Sequence, residues 1–205
     1  MRILTLLLSG LVLALPGTGR ADAVADAMRV ALQQVREDDW RAADSAALPA
    51  GAVGRDIVEW YRLRDGAAAF EDYLDFLERH PDWPDRARLE AAAENNIRPE
   101  AEPERVIAFF GGRLPETGTG VLRLTAAHEA LGQTGDAEAL AVLAWRTMAL
   151  GARVAAELLE RHGAVLAAHH TERLDEMLWR GFEAAARRMY PRVPEGWQRL
   201  AEARL

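Results

Sequence analysis

Residues 124–148, LTAAHEALGQTGDAEALAVLAWRTM, decide the fold. Two apolar stripes in this stretch follow the spacing of one helix face, and a glycine-containing joint separates them. Leu131-Gly132 predicts the end of the first helix, and Gly135-Asp136-Ala137 predicts the start of the second. The stripes consist of Leu124, Ala127, His128 and Leu131, followed by Ala137, Leu140, Ala141 and Ala144.

The same helical period recurs through most of the chain, whereas alternation with period two is almost absent. The spacing predicts about ten helices of roughly 9–15 residues with short joints. The further stripes are Ile57/Trp60/Tyr61, Phe70/Tyr73/Leu74/Leu77, Val106/Phe109/Phe110, Ala155/Leu158/Leu159/His162, Leu174/Met177/Leu178, Phe182/Ala185/Ala186/Met189 and Trp197/Leu200/Ala201.

Proline, threonine and glycine positions give the expected helix boundaries. Pro84 suits the first turn of a helix and Pro103 opens another, while Thr171 is a plausible N-cap. Helix ends are expected at the glycines. These are Gly111-Gly112, Gly132, Gly135, Gly151 and Gly163.

Short helices joined in antiparallel pairs predict an all-α fold, an α-superhelix or solenoid. The pair in residues 124–148 resembles a tetratricopeptide-type hairpin, in which a small residue lets two helices pack closely. No 34-residue period is fixed by the sequence, so a compact helical bundle stays open as the alternative.

The first 23 residues have the layout of a secretory signal peptide. Met1-Arg2 is a short positive start, Ile3 to Leu15 is apolar, and Ala21-Asp22-Ala23 offers a cleavage site. The apolar run is shorter than the roughly 20 residues that a membrane span needs. We therefore expect cleavage after Ala21 or Ala23, no membrane span afterwards, a periplasmic location, and a helical domain over residues 24–205.

Composition excludes several classes of function. The chain has 205 residues, a net charge of −7, no cysteine, and no lysine among its 25 basic residues. An acidic chain without a basic block does not favour nucleic acid as a partner, because neutralising phosphates needs clustered basic residues. Without cysteine there is no disulfide, thiolate-zinc site or thiol chemistry.

The histidines do not match a metal or catalytic motif. His128 and His162 lie on apolar stripes, where satisfied core or groove histidines are expected. His169 and His170 are adjacent on a helix and point about 100° apart, so they chelate poorly. His80 has no carboxylate at a metal-ligand spacing beside it.

Other residue types that carry chemistry also have structural interpretations. The Gly-rich stretch 110–120 fits neither phosphate-binding fingerprint and is expected to be a loop between two helices. Glu59, Asp72, Asp75 and Glu90 are expected on solvated helix faces, and the six tryptophans mainly in the core. No catalytic, cofactor-binding or metal-binding residue and no cofactor is predicted. The tryptophans are Trp40, Trp60, Trp83, Trp145, Trp179 and Trp197.

Three words in the sequence are more specific than any single motif. They are RDIVEWYRLR at 55–64, FEDYLDFLERHPDWP at 70–84, and RLDEMLWRG at 173–181 followed by AAARRM at 184–189. Together they resemble the N-terminal superhelical domain of soluble lytic murein transglycosylases of the α-proteobacterial type. The resemblance runs from about Ala25 to Leu205.

The resemblance implies a periplasmic enzyme of peptidoglycan turnover that uses no cofactor. The family cleaves the β-1,4 bond between N-acetylmuramic acid and N-acetylglucosamine, leaving a 1,6-anhydromuramic end. Its helices form a U-shaped or ring-like superhelix that carries a lysozyme-like catalytic domain. That domain's Glu-Ser and Gly-Leu-Met-Gln words do not occur here, so we expect a truncated, non-catalytic portion that is inactive alone.

Two hypotheses of function stay open beside each other. The first is the non-catalytic scaffold of a lytic murein transglycosylase, whose partner is peptidoglycan. The second is a stand-alone periplasmic helical-repeat adaptor that binds a protein partner or peptidoglycan strands without cleaving them. We also expect self-association or fraying at the last helix, because Trp197, Leu200 and Leu205 have no later residues to cover.

Overall fold

The computed structural model describes residues 18–205 as helices joined by short turns, with no strand in that range. The all-α prediction is confirmed. The twelve α-helices are α1 (Thr18–Arg36), α2 (Trp40–Ala47), α3 (Gly51–Arg64), α4 (Phe70–Arg79), α5 (Arg86–Asn96), α6 (Pro103–Phe110), α7 (Gly118–Ala130), α8 (Thr134–Thr147), α9 (Ala152–Leu166), α10 (His170–Trp179), α11 (Glu183–Arg187) and α12 (Glu195–Arg204). Short 3-10 turns occupy Leu48–Ala50, Ala167–His169 and Tyr190–Arg192.

The helices divide into two compact units, with the boundary between Asp65 and Gly66. In the first unit, α1 packs against α2 and α3 around a core of small residues. Asp39 caps the start of α2 by accepting the amide of Ala42 at 2.9 Å, as capping aspartates do. Gly54 permits close approach, because a Cβ atom there would lie 2.9 Å from Met28 Sδ.

In the second unit, each helix packs against the next helix or the one after it. The main packing pairs are α4/α5, α5/α7, α6/α7, α7/α8, α7/α9, α8/α9, α8/α10, α10/α11 and α10/α12. This order is solenoid-like, since stacked repeats contact mainly their neighbours in sequence. The α7/α8 pair is the predicted hairpin of residues 124–148, and the joint 131–133 makes its helices antiparallel.

The predicted apolar stripes supply the core of the second unit. Ala141 of α8, Leu158 of α9 and Met177 of α10, each from a predicted stripe, are buried in one cluster. Phe70 meets Phe109 edge to face, with ring centroids 5.2 Å apart, a favourable geometry for aromatic pairs. The stripes thus face a shared interior, as the period of 3.6 requires.

Two expected helix starts are displaced. Pro84 lies two residues before α5, because Asp85 adopts a left-handed backbone conformation with φ 59° and the helix begins at Arg86. Thr171 is the second residue of α10 rather than its N-cap, since the turn at Ala167–His169 leads directly into the helix at His170. Pro103 does open α6.

The glycines have three different roles. Gly111 and Gly132 end helices with positive φ of 53° and 71°, as predicted. Gly135 is instead the second residue of α8, and Gly151 is the N-cap of α9. Gly163 follows a kink at His162, where φ is −121°, and α9 continues to Leu166.

The tryptophans are not all in the core. Trp145 is 1% exposed and Trp197 packs at the edge of the core, but Trp179 is 79% exposed, so its placement in the core was wrong. Trp179 is the last residue of α10, where the helix stops before Gly181. Leu200 of α12 is 44% exposed, and Leu205, which follows the helix, is 40% exposed.

The predicted signal peptide falls largely outside the described residues. Residues 1–17 are not described, and Ala21-Asp22-Ala23 lies within α1. Among the described helices, none has both the length and the apolar character needed to cross a membrane.

Candidate functional site

The five histidines lie in separate settings. His80 stacks between Phe76 and Trp83, with ring centroids 4.7 Å from each. His128 is half-buried, with Nδ1 2.7 Å from Gln133 Oε1. Among residues 18–205, no three histidine and acidic side chains are grouped in a way that could hold a metal ion.

His162 is buried as expected, but its Nε2 atom has no hydrogen-bond partner among the described residues, so this ring nitrogen is not satisfied. Its Nε2 lies 3.4 Å from Glu129 Oε1, within ion-pair distance but without hydrogen-bond geometry. Burial lowers the pKa of His162, and Arg161 lowers it further, although Glu129 opposes both. Glu129 is itself paired with Arg161.

Of the acidic residues expected on solvated faces, Asp75 is exposed, whereas Asp72 and Glu90 are partly buried and have specific partners. Asp72 Oδ2 accepts the Ala69 amide at 3.2 Å near the start of α4. Glu90 bridges two cations, accepting from Arg86 Nε at 2.9 Å and from Arg113 Nη1 at 2.8 Å. Its side chain is only 15% exposed, so the solvated face predicted for Glu90 was wrong.

Glu94, which no motif singled out, is 1% exposed and binds the start of α7. Its carboxylate accepts the Glu116 amide at 3.0 and 3.1 Å and the Thr117 amide at 2.7 Å. The Gly-rich stretch is therefore a loop only in part, because α7 begins at Gly118. An anion site at the start of a helix is present, but the protein's own glutamate fills it.

The most unusual chemistry lies where α8, α10 and the segment after α11 meet. Arg173 of α10 is 1% exposed and stacks on Trp145 of α8, with its Cζ 4.3 Å from the ring centroid. Arg188 and Arg192 approach from the end of α11 and the following 3-10 turn. We call these three arginines and the cavity that they line the arginine pocket.

The guanidinium of Arg173 caps the carboxyl end of α8, and that of Arg188 binds the segment that follows the helix. Arg173 Nη1 donates to the carbonyls of Trp145 and Met148, the latter at 3.0 Å. Arg188 Nη2 donates to Leu150 O at 2.8 Å. The last carbonyls of a helix lack intrahelical partners and lie at its negative end, so arginines are favourable there.

Capping does not use all the donors. Arg173 Nη2 and Trp145 Nε1 are both buried and have no hydrogen-bond partner. Burial, followed by the charge of Arg188, lowers the pKa of Arg173 to about 10, so its guanidinium stays cationic at neutral pH.

His170 lies beside these residues, with its ring centroid 5.7 Å from that of Trp145. Burial lowers the pKa of His170, and Arg192 and Arg173 lower it further.

The arginine pocket encloses about 160 Å³. Apart from the arginines the lining is apolar, and no acidic residue of the described chain lines the cavity. Both buried and exposed residues line the cavity, so it is open to solvent on one side. The apolar lining residues are Trp145, Ala152, Ala155, Ala156, Leu159, Ala185 and Met189.

No motif in the sequence predicts the arginine pocket, but one signal of it is present. Arg173 precedes Leu174 and lies four residues before Met177, so it borders a stripe that was correctly placed in the core. Residues four apart share a helix face. A charged residue on an apolar stripe indicates a buried charge, which needs a partner.

Searches against protein-family models, characterised proteins and solved structures find no match to this chain.

Proposed function

We propose that this chain is the non-catalytic helical scaffold of a periplasmic lytic murein transglycosylase, an enzyme of peptidoglycan turnover. The observation that carries the proposal is the solenoid-like packing order of α4 to α12. Such arrays present extended surfaces on which another domain or a polymer lies. In this proposal a lysozyme-like domain cleaves the glycan strand, and the helices hold it against peptidoglycan.

Two of the sequence words that resemble that family have clear structural roles, which supports the proposal. In the word at 70–84, Phe76, His80 and Trp83 stack on one another where α4 turns toward α5. In the word at 173–181, Leu174 and Met177 are fully buried. These words therefore encode packing between helices, as expected for a scaffold.

Export and peptidoglycan binding test the proposal directly. The full chain is expressed in a Gram-negative host, and the periplasmic product is subjected to N-terminal sequencing. We expect it to begin at Asp22 or Val24, and to cosediment with insoluble peptidoglycan without releasing anhydromuropeptides. A retained Met1, or failure to sediment above a heat-denatured control, would contradict the proposal.

The genomic locus gives a second, independent test. The DNA past codon 205 is read in all three forward frames. We expect coding sequence for the Glu-Ser and Gly-Leu-Met-Gln words of the catalytic domain. Their absence from every frame would favour the second candidate function.

The second candidate is a periplasmic helical-repeat adaptor that binds a partner. The arginine pocket favours it, because the pocket combines unpartnered buried donors with a solvent-open cavity. Ligand sites are typically concave and mostly apolar, with a few polar groups that fix the ligand. Cosedimentation alone does not separate the two candidates, because an adaptor that binds peptidoglycan strands would also sediment. The sequence of the locus separates them.

A further inference from the structure

The arginine pocket holds positive charge that the protein itself does not neutralise. Arg173, Arg188 and Arg192 line one cavity, and no aspartate or glutamate lines it with them. The charges that shift the pKa of Arg173 and His170 come from other arginines and from His169, not from a carboxylate. A buried cation is normally paired, so this arrangement favours an anion and repels a metal ion.

The donors left over are those that a bound anion would use. Arg173 Nη2 and the indole Nε1 of Trp145 are buried, unpartnered, and belong to residues that line the cavity. Arg192 is exposed at the cavity and donates to Arg188 O at a long 3.4 Å. Arginine presents its donors in a planar fork, which matches the plane of a carboxylate.

The size and the walls of the cavity restrict the rest of the ligand. Its volume of about 160 Å³ is close to that of an apolar cavity that holds benzene, so about six non-hydrogen atoms fit. Four alanines, Leu159 and Met189 form walls that cannot hydrate a second charge. The second charge of a compact dianion such as phosphate would lie against these apolar walls, so the site favours a single charge with an apolar body.

We propose that the arginine pocket binds a monocarboxylate with a short aliphatic body, of the size of butyrate or a single alanine residue. Arg173 and Trp145 donate to the carboxylate, Arg188 and Arg192 add positive charge, and the alanine-lined wall contacts the aliphatic part. The ligand is either a free short-chain carboxylate or the carboxyl-terminal residue of a peptide. The inference stands on the pocket alone, whichever proposed function holds.

Calorimetric titration of the full-length chain tests the ligand class. The probes are butyrate, its uncharged isostere butyramide, and inorganic phosphate. We expect butyrate to bind about ten-fold or more tighter than butyramide, because the amide removes the charge and keeps the shape. Equal binding of the two, no butyrate binding up to about 10 mM, or tighter binding of phosphate would overturn the proposal.

Variants locate the site without disturbing the buried arginine. Ala156→Leu fills the exposed side of the cavity and Arg192→Gln removes an exposed charge, so neither alters the core. We expect the first to abolish butyrate binding and the second to weaken it about three-fold to ten-fold. Arg153→Gln is the matched control, because Arg153 is exposed on α9 but does not line the cavity. Unchanged affinity in Ala156→Leu would overturn the location.

The indole N–H signals give a readout that a purely structural role of Arg173 would not move. The chain has six tryptophans, and the Trp145 signal is assigned from its loss in Trp145→Phe. We expect saturating butyrate to shift the Trp145 signal most, because its N–H gains an acceptor. A shift confined to the other five indoles would contradict the proposed contact.

A final comparison separates the two sources of the carboxylate. N-acetyl-alanylalanine carries a peptide terminus, whereas butyrate does not. Binding of the dipeptide about ten-fold tighter than butyrate assigns the pocket to a chain terminus, and the reverse order assigns it to a free carboxylate. Cosedimentation with peptidoglycan is also measured for the Ala156→Leu variant. A scaffold that binds glycan strands at another surface still sediments when the arginine pocket is filled.

Discussion

Replacing Glu94 is expected to destabilise the second unit more than replacing any exposed acidic residue. Glu94 is 1% exposed, and its carboxylate accepts two backbone amides just before α7. Hydrogen bonds to a charged group contribute about 1.5–3 kcal/mol each, so two amount to about 3–6 kcal/mol. Removing the buried charge recovers part of its desolvation cost, and we expect Glu94→Ala to lose about 3–5 kcal/mol of the free energy of unfolding.

Glu94→Gln separates the contribution of charge from that of shape. The amide keeps one acceptor oxygen near the amides of residues 116 and 117 but loses the negative charge that the start of α7 favours. We expect a loss of about 1–2 kcal/mol, between the wild type and Glu94→Ala. Urea unfolding, followed by circular dichroism at 222 nm, measures both values.

Glu160→Gln is the matched control, since Glu160 is exposed on α9 and should change stability by less than about 0.5 kcal/mol. The reasoning fails if Glu94→Gln is as stable as Glu160→Gln. It also fails if Glu94→Gln and Glu94→Ala are equally damaging, because the lost charge alone would then account for the whole loss and the remaining amide oxygen would contribute nothing.

Two further predictions concern packing and pH. Gly120→Ala should lose about 1–3 kcal/mol, because the new Cβ would lie 2.8 Å from Cδ of Glu94. Gly135→Ala, on the open side of α8, should be neutral or stabilise by up to about 1 kcal/mol in the same urea series. The lowered pKa of His162 means that the unfolded chain binds more protons below about pH 6.5, so stability should fall from pH 7 to pH 5. His162→Gln should flatten that slope, and an unchanged slope would exclude His162 as its source.

The fold could be predicted from the sequence because it depends on periodicity, which is a local property. The stripes in α7 and α8 placed Leu124 and Ala141 in the core, and both are buried. Helix boundaries were less predictable, because they depend on backbone geometry at single residues. Asp85 takes a left-handed conformation that no propensity favours strongly, and it moves the start of α5 past Pro84.

The site was not predictable in the same way, because its parts come from distant segments. Glu94 and Thr117 meet across 23 positions of sequence, and Arg173 reaches Trp145 across 28. Periodicity shows which face of a helix is buried but not which face it meets. A buried charge can be read from a stripe, as with Arg173, whereas its partner depends on tertiary packing.

The charge of Arg173 is the feature that capping explains only in part. Capping the carbonyls of Trp145 and Met148 needs N–H donors, and the negative end of α8 favours a cation there by only about 0.3–2 kcal/mol. The cation–π contact with Trp145 offsets part of the desolvation cost, yet Arg188 adds a like charge that raises it again. A neutral side-chain donor would cap the carbonyls of α8 at a lower desolvation cost. Lysine would also cap them, but it lacks the planar fork of donors that arginine has. A planar fork of donors, a net positive charge and an open apolar cavity together form a complete site only when an anion binds there. The arginine pocket is therefore the site to test first.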